Sequence, residues 1–546
     1  MNIEKLKTLP AWLILALSAS LLRFKVRLQS DTLFLDDLFT DLLSRSGRWA
    51  EWKFSSAPAF FPDMLLYFLS LPIFHDPATR IFAVSAAQVF LLAAALLWCA
   101  RQIDPALSSS ARTSILLLLA LFTLASAQSG MWLFFYTTNN HLASLLFGLT
   151  GAGLMLRHIA RRDRASAALL IIGSALALVS TALFTLSFML PVLLLLAAAW
   201  VVLGDPGPAH SAVYQPHRRT VLRLGGMLVA AQVLATLLSK VLIRNVASEG
   251  RIHTSPETAG VALRNFLLAL KTSFKPDNWL TMSCSVLLLL ALLYLAYRLL
   301  RAVAPTRNGV LVSAAEWRFG AAAALLCVVL PVNLAGVILS GGFADPFGMR
   351  YLTFPLTLAL LLAVIRLDRA SAGRPWPARV LQLALGGVIA VSAGGLTLRP
   401  PPVIVDDSEL AAGCLARIQG AGFALHAGIA DYWNGRGVSY LLAHRNPILV
   451  TDTRLAPDFH VSTLGPLVRP RDYPRHDYNF AVLYGGVKPV NPDYTAAAMR
   501  AVLPGADRIE SCADGRLEIW LYQDQRLDQA VKQAGAAFLR NRQAGR

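Results

Sequence analysis

The residues best equipped for chemistry are two adjacent acids, Asp36 and Asp37, in the segment Ser30-Asp-Thr-Leu-Phe-Leu-Asp-Asp-Leu-Phe-Thr-Asp41. Neighbouring carboxylates repel each other unless they are solvated, paired with cations, or used as a base or metal ligand. A carboxylate in such a place can take a proton from an acceptor hydroxyl, or orient an acceptor amine, while a group is transferred. The plainer alternative is an acidic helix start in which Asp31 or Asp36 only caps. On spacing alone the two weigh equally.

A cation to match them is Arg350, the sole basic residue of the short segment Gly341–Arg350. Its planar guanidinium suits a phosphate. Lys271 and Lys275, four apart and so on one helical face, are second phosphate candidates. Attraction to anionic lipid headgroups is the better account of either lysine. Tyr351, Asn140 and His141 are the candidate substrate contacts. Around the last two, Trp132, Phe134, Phe135 and Tyr136 read as an interfacial aromatic belt. There is no Cys-x-x-Cys and no Cys/His cluster with zinc spacing, so no metal ligand is assigned and no cofactor is expected.

The elements that must hold these residues are membrane helices. The chain has 546 residues, of which 55% are hydrophobic and only 15% charged, which places it in the membrane class. Its net charge of +18 does not point to nucleic acid. The basic residues form no stripe or tail; they sit in small clusters between apolar runs, where they set orientation. A span needs about 20 mostly apolar residues. Eleven runs qualify approximately. Six are Thr8–Phe24, Ile81–Ala100, Thr113–Gly130, His141–Leu156, Ala165–Thr181 and Phe184–Leu203. Five more are Val221–Ile243, Trp279–Leu300, Phe319–Ser340, Tyr351–Ile365 and Val380–Leu398. The stretch Ala165–Leu203 is too long for one span and is split near Phe184. The first run lacks a small-residue cleavage site and reads as a span rather than a signal peptide.

Arginines set the orientation. With the N-terminus cytoplasmic, every second loop is cytoplasmic, and those loops carry Arg157, Arg161, Arg162 and Arg164, then Arg218, Arg219 and Arg223, then Arg366, Arg369, Arg374 and Arg379. Arg23, Lys25 and Arg27 run against the trend. The expected location is a bacterial inner membrane, multi-pass, with the C-terminal part periplasmic. Two extracytoplasmic segments exceed a simple turn, about 25–80 and 244–278. Each holds an amphipathic stretch, one through Asp37, Leu38, Asp41 and Leu42, the other through Val261, Phe266, Leu267 and Leu270. The plainer reading is interfacial helices lying along the membrane surface; the sharper one is that they roof a site.

The run Arg399-Pro-Pro-Pro402 ends the membrane part, residues 1–399. Residues 400–546 alternate helix and strand patterns and predict a small extracytoplasmic α/β domain. Helices are expected at Asp407–Gln419, Asp431–Ala443 and Pro492–Val502. Extended segments are expected at Phe423–Gly428, Pro447–Thr451, Phe480–Tyr484, Arg508–Cys512 and Leu517–Tyr522. Cys414 and Cys512 both lie in this part and are expected to form a disulfide in an oxidising compartment.

Several short motifs resemble the GT-C glycosyltransferases, the group that includes the aminoarabinose and protein-mannose transferases. They are the Leu22-Arg23 end of the first run followed by the acidic pair, the segment Phe60-Phe-Pro-Asp-Met-Leu-Leu-Tyr-Phe-Leu69, and Arg350-Tyr-Leu-Thr-Phe-Pro355. Ala430-Asp-Tyr-Trp-Asn434 is similar to a motif of some members' soluble tails. The resemblance spans most of the chain through short, degenerate motifs. It implies an inverting transfer from a polyprenyl-phosphate sugar to a glycan, lipid or protein acceptor, with Asp36 or Asp37 as catalytic carboxylate and Arg350 on the donor phosphate. Thr137-Thr-Asn-Asn-His141 departs from the pattern: it lacks the second acid that several of these families place there, which leaves a divalent metal unsupported. The rival classes are a transporter or flippase, a glycan polymerase of the cell envelope, and a non-enzymatic scaffold. No inverted repeat favours the transporter.

Overall fold

The computed structural model describes residues 3–24, 30–43, 49, 52–54, 58–128, 141–202, 218–243, 245–246, 255–275, 279–303, 314–343, 346–371, 376–398, 407–443, 445–457, 473–486 and 491–544. The first helices are α1 (Ile3–Ser20), α2 (Ser30–Leu43), α3 (Leu65–Ser70), α4 (Pro77–Ile103), α5 (Ser109–Gln128), α6 (His141–Arg161) and α7 (Arg164–Ser180). They are followed by α8 (Leu190–Val202), α9 (Arg218–Leu242), α10 (Pro256–Ser273), α11 (Trp279–Val303), α12 (Ala314–Leu339), α13 (Thr353–Ala370) and α14 (Trp376–Leu398).

Among the described residues, eight helices are long and apolar enough to cross a membrane, and each overlies one of the expected spans. They belong to α4, α5, α6, α9 and α11 to α14. The other three expected spans are helical but fall short. α1 carries Glu4, Lys5 and Lys7 within its 18 residues. α7 has 17 residues, about 26 Å at 1.5 Å per residue, against a hydrocarbon core of about 30 Å. The helix through α8, Thr185–Val201, is equally short. The break expected near Phe184 is present, between Ser180 and Thr185. The protein is thus a mostly helical membrane protein; among the described residues eight helices meet the length and polarity demands of a span, and the expected count of eleven is not reached there.

Polar ties define the two ends of this bundle. At one end, Arg369 Nε of α13 lies 2.6 Å from Asp104 Oδ2, at the close of α4. Arg366 and Arg369 both reach Glu316 Oε1 of α12 at 3.1 Å. Helix α4 is 27 residues long, about 40 Å, so its start lies at the opposite end. That start is fixed by Asp76, which accepts from Thr79 N at 2.8 Å, and by Pro77 in the first turn.

The two long loops meet at this second end. Ala59 N and Phe61 N donate to Ser180 O and Oγ, each at 3.0 Å. Trp49 Nε1 donates to Leu242 O at 2.6 Å. A two-residue strand of the first loop, β1 (Lys53–Phe54), pairs in parallel with β2 (Asn245–Val246) of the second. Leu33, Phe34, Leu38, Trp52, Phe54 and Phe60 are buried in one cluster with Ala175 and Val179 of α7 and Ala235 of α9. Both amphipathic stretches expected in these loops are helices, α2 and α10. The second begins with a capping box between Ser255 and Thr258.

The C-terminal part has a core of its own. Its elements are α15 (Asp407–Gly420), β3 (Ala427–Ala430), α16 (Tyr432–Leu441), β4 (Ile448–Val450), β5 (Tyr478–Tyr484), α17 (Ala496–Met499), β6 (Arg508–Cys512), β7 (Leu517–Leu521) and α18 (Arg526–Ala544). The sheet runs β4-β3-β5-β7-β6. β3 is parallel to both neighbours, and β7 is antiparallel to β5 and β6. Cys414 of α15 and Cys512 of β6 are disulfide-bonded, as the sequence predicts, with Cα atoms 6.3 Å apart. The expected helix Pro492–Val502 shrinks to a turn at Pro492–Tyr494 and the one-turn α17. Helix α18 was not expected. Its apolar stripe is narrow, Leu527, Val531, Ala534 and Phe538 against the sheet, and polar residues dominate the rest.

Candidate functional site

Helix α2 brings Asp36 and Asp37 to the loop end of the bundle, but not to one place. Successive residues on a helix point about 100° apart, and the two carboxylates take different partners. Asp36 Oδ1 accepts from Tyr67 OH at 2.8 Å and from Arg80 Nη1 at 2.6 Å. Both donors are themselves held. The Tyr67 ring stacks on Phe39 with centroids 6.0 Å apart. Arg80 Nε and Nη2 donate to the carbonyls of Phe74 and His75 at 2.7 and 2.9 Å. No other described residue donates to Asp36, which leaves Oδ2 open on a side chain that stays 15% exposed. Burial, and then the Asp36 charge, push the Tyr67 phenol upward, so it remains a proton donor.

Asp37 points the other way. Its Oδ2 lies 2.7 Å from Arg436 Nε of α16, with side-chain exposures of 9% and 1%. The contact has ion-pair distance without the alignment of a hydrogen bond. Gly435 lets this part of α16 lie close on β4, since a Cβ there would stand 2.8 Å from Val450 Cγ2. Tyr440, one turn beyond Arg436, donates to Asp76 at 3.4 Å and packs among the loop side chains.

A third acid, Asp63, is fully buried at the turn before α3. Gln88 Nε2 of α4 donates to its Oδ1 at 2.7 Å, while Oδ2 has no hydrogen-bond partner. Burial pushes this carboxyl up to about 7.

Arg350 and Tyr351 stand in the turn Pro346–Leu352 that leads into α13. Arg350 Nη2 donates to Tyr351 OH at 3.1 Å, and its guanidinium lies 5.1 Å from that ring's centroid. Its Nε is buried without a hydrogen-bond partner, and no described carboxylate neutralises it. Because α12 and α13 join the other end through Glu316 and Arg369, this turn lies at the loop end with Asp36. Helix α10 packs against the turn, and Asn265 Nδ2 donates to Phe343 O at 2.8 Å. Lys271, in the last turn of α10, and Lys275 just beyond it are exposed. No described hydrogen bond or ion pair joins Arg350, Lys271 or Lys275 to Asp36. Asn140 lies outside the described residues; His141 opens α6, but its side chain lies outside them. Trp132, Phe134, Phe135 and Tyr136 are outside them too.

An apolar cavity of about 440 Å³ lies at the opposite, arginine-rich end, lined by Ile103, Ile159, Thr220, Glu316 and Trp317 among others. It contains none of the candidate residues. The sequence reading missed Tyr67, Arg80, Asp63 and Arg436. A signal existed for Asp63, an acid inside the apolar stretch Phe60–Leu69, where a charge is costly. Arg436 had none, being 399 residues from its partner.

No family model matches the chain, and no curated protein matches it. Among solved structures it is similar to the oligosaccharyltransferase of Archaeoglobus fulgidus in complex with zinc and sulfate, with TM-score 0.41 and 11% identity, covering 93% of this chain and 73% of that one. The apo form gives 0.41 at 12% identity, covering 87% and 69%. ArnT from Cupriavidus metallidurans bound to undecaprenyl phosphate gives 0.36 at 13% identity, covering 94% and 97%.

Proposed function

We propose that this membrane protein is a glycosyltransferase that moves a sugar from a polyprenyl-phosphate donor to an acceptor at the extracytoplasmic face of a bacterial inner membrane. The observation that carries this reading is the state of Asp36. Two donors grip Oδ1, and Oδ2 is left open beside the loops. A carboxylate held in that way is oriented to accept a proton from an incoming nucleophile.

In the proposed reaction a hydroxyl or amine of a glycan, lipid or protein attacks the anomeric carbon. The bond from that carbon to the donor phosphate oxygen breaks, and the polyprenyl phosphate leaves with the electron pair. Asp36 receives the nucleophile's proton, and the configuration inverts. The catalytic carboxylate comes from the Asp36–Asp37 pair, and the geometry favours Asp36, because Asp37 is engaged with Arg436. Arg350, with a buried donor still unused, is the proposed phosphate ligand, and Tyr351 lies against it. Lys271 and Lys275 draw the anionic donor or other membrane lipids to this end, and Asn140 and His141 contact substrate. No cofactor takes part.

The test is transfer from a panel of polyprenyl-phosphate sugars by the purified protein in lipid. Wild type transfers at least one sugar, and Asp36→Asn lowers the rate about 100- to 10,000-fold. Full activity in Asp36→Asn, with a normally inserted protein, overturns the assignment.

A further inference from the structure

Among the described residues α16 of the C-terminal part meets α2 and the start of α4, two of the elements that build the Asp36 site. Arg436 and Tyr440 are four residues apart and so share a face of α16. Arg436 meets Asp37 on α2, next to Asp36. Tyr440 meets Asp76 at the start of α4, one turn from Arg80. The Asp36–Arg80 pair therefore spans α2 and α4, and α16 lies across both. On its other side α16 rests on β4 and α15, and α15 is bonded to β6 through Cys414–Cys512.

We propose that Arg436 is a positioning residue: acting through Asp37, it holds α2 so that Asp36 stays registered against Arg80 and Tyr67. This rests on the transferase reading for what Asp36 does, but the mechanical coupling is separable from it. A carboxylate and a guanidinium this buried are costly to separate, and removing one takes from the other its opposite charge across the contact. The arginine is therefore a lock whose removal is felt on α2. Replacing both partners by apolar side chains of similar size removes the charge imbalance and restores the contact by packing.

The experiment compares full-length wild type, Arg436→Met, and Asp37→Leu combined with Arg436→Met, all reconstituted in lipid. Hydrogen exchange, which needs no substrate, reads protection in Ser30–Leu43, Tyr432–Leu441 and the strands β5 and β7. The expected result is about tenfold faster exchange in α2 and α16 for Arg436→Met, unchanged protection in β5 and β7, and recovery in the double variant. In turnover assays Arg436→Met lowers kcat about tenfold with little change in donor KM, as displacement of a catalytic group requires. Unaltered α2 exchange in Arg436→Met overturns the coupling. So does equal loss of protection in β5 and β7, which makes Arg436 a folding residue of the sheet domain. If exchange changes as expected while wild type uses no sugar donor, the transferase reading fails and the coupling stands.

Discussion

The two ends of the bundle both carry buried acids facing arginines, yet they treat those acids differently. At the arginine-rich end both oxygens of Asp104 and of Asp368 accept hydrogen bonds. Asp104 accepts from Arg369 through Oδ2 and from Ala106 N through Oδ1. Asp368 accepts from the Ser108 hydroxyl and, at 3.1 Å, from its amide. Glu316 takes both Arg366 and Arg369, whose guanidinium groups also lie over Phe319. At the loop end, Asp36 has an open oxygen, Asp63 an unpartnered one, and Arg350 an unused donor. Saturated polar groups tie helices together. Unsaturated ones cost stability and are kept where something else is to be bound or moved.

This contrast predicts opposite effects on transfer for the same change at the two ends. Asp36→Asn keeps the shape and an acceptor for Tyr67 but removes the base and the charge opposite Arg80, so transfer falls by about 100- to 10,000-fold and stability by about 1.5–3 kcal/mol. Asp104→Asn removes the charge opposite Arg369, which keeps its contact with Glu316, and costs about 1.5–3 kcal/mol of bundle stability. The protein that remains folded transfers at the wild-type rate. A thermal melt and a turnover assay on both variants suffice. An inactive but fully stable Asp104→Asn protein erases the distinction between the ends.

Arg350→Lys probes the same distinction through the cation. Lysine keeps the charge but loses the fork and Nε, so donor binding weakens by about 1.5–3 kcal/mol, or roughly 10- to 100-fold. The readout is donor KM, with acceptor KM as the control. An equal rise in both places Arg350 in the general packing of its turn.

How much of this was legible in the sequence depends on the range of the interaction. Spans are local, and every run of about 20 apolar residues became a helix; α1 and α7 fell short only through charges in the first turns or a missing turn of length. The disulfide was legible from compartment and residue count. Asp36 and Asp37 were legible as a pair but not as two roles, although one helix turns neighbours about 100° apart, which favours different partners. The identities of those partners were out of reach. Arg80 lies 44 residues from Asp36, and Arg436 comes from the part of the chain that packs around a different hydrophobic cluster, so no local pattern encodes either contact.

The smallest effect is the sharpest test of the unsaturated end. Burial raises the Asp63 carboxyl to about 7, above about 3.9 in an unfolded chain. The folded state therefore binds this proton more tightly than the unfolded one. The sign follows: the contribution to stability is fully present below about pH 4 and is lost as pH rises through about 7. Asp63→Asn removes the titration, and its amide can accept from Gln88 Nε2 and donate to Gln88 Oε1, which has no partner in the wild-type structure. The variant is expected to match wild type at pH 4 and to be the more stable of the two at pH 8. Thermal melts at the two pH values check it. A wild-type stability that rises between pH 4 and pH 8, with a parallel rise in the variant, means that other groups set the profile. A variant that gains stability at pH 8 but loses transfer places Asp63 with the groups whose unmet polarity serves the reaction.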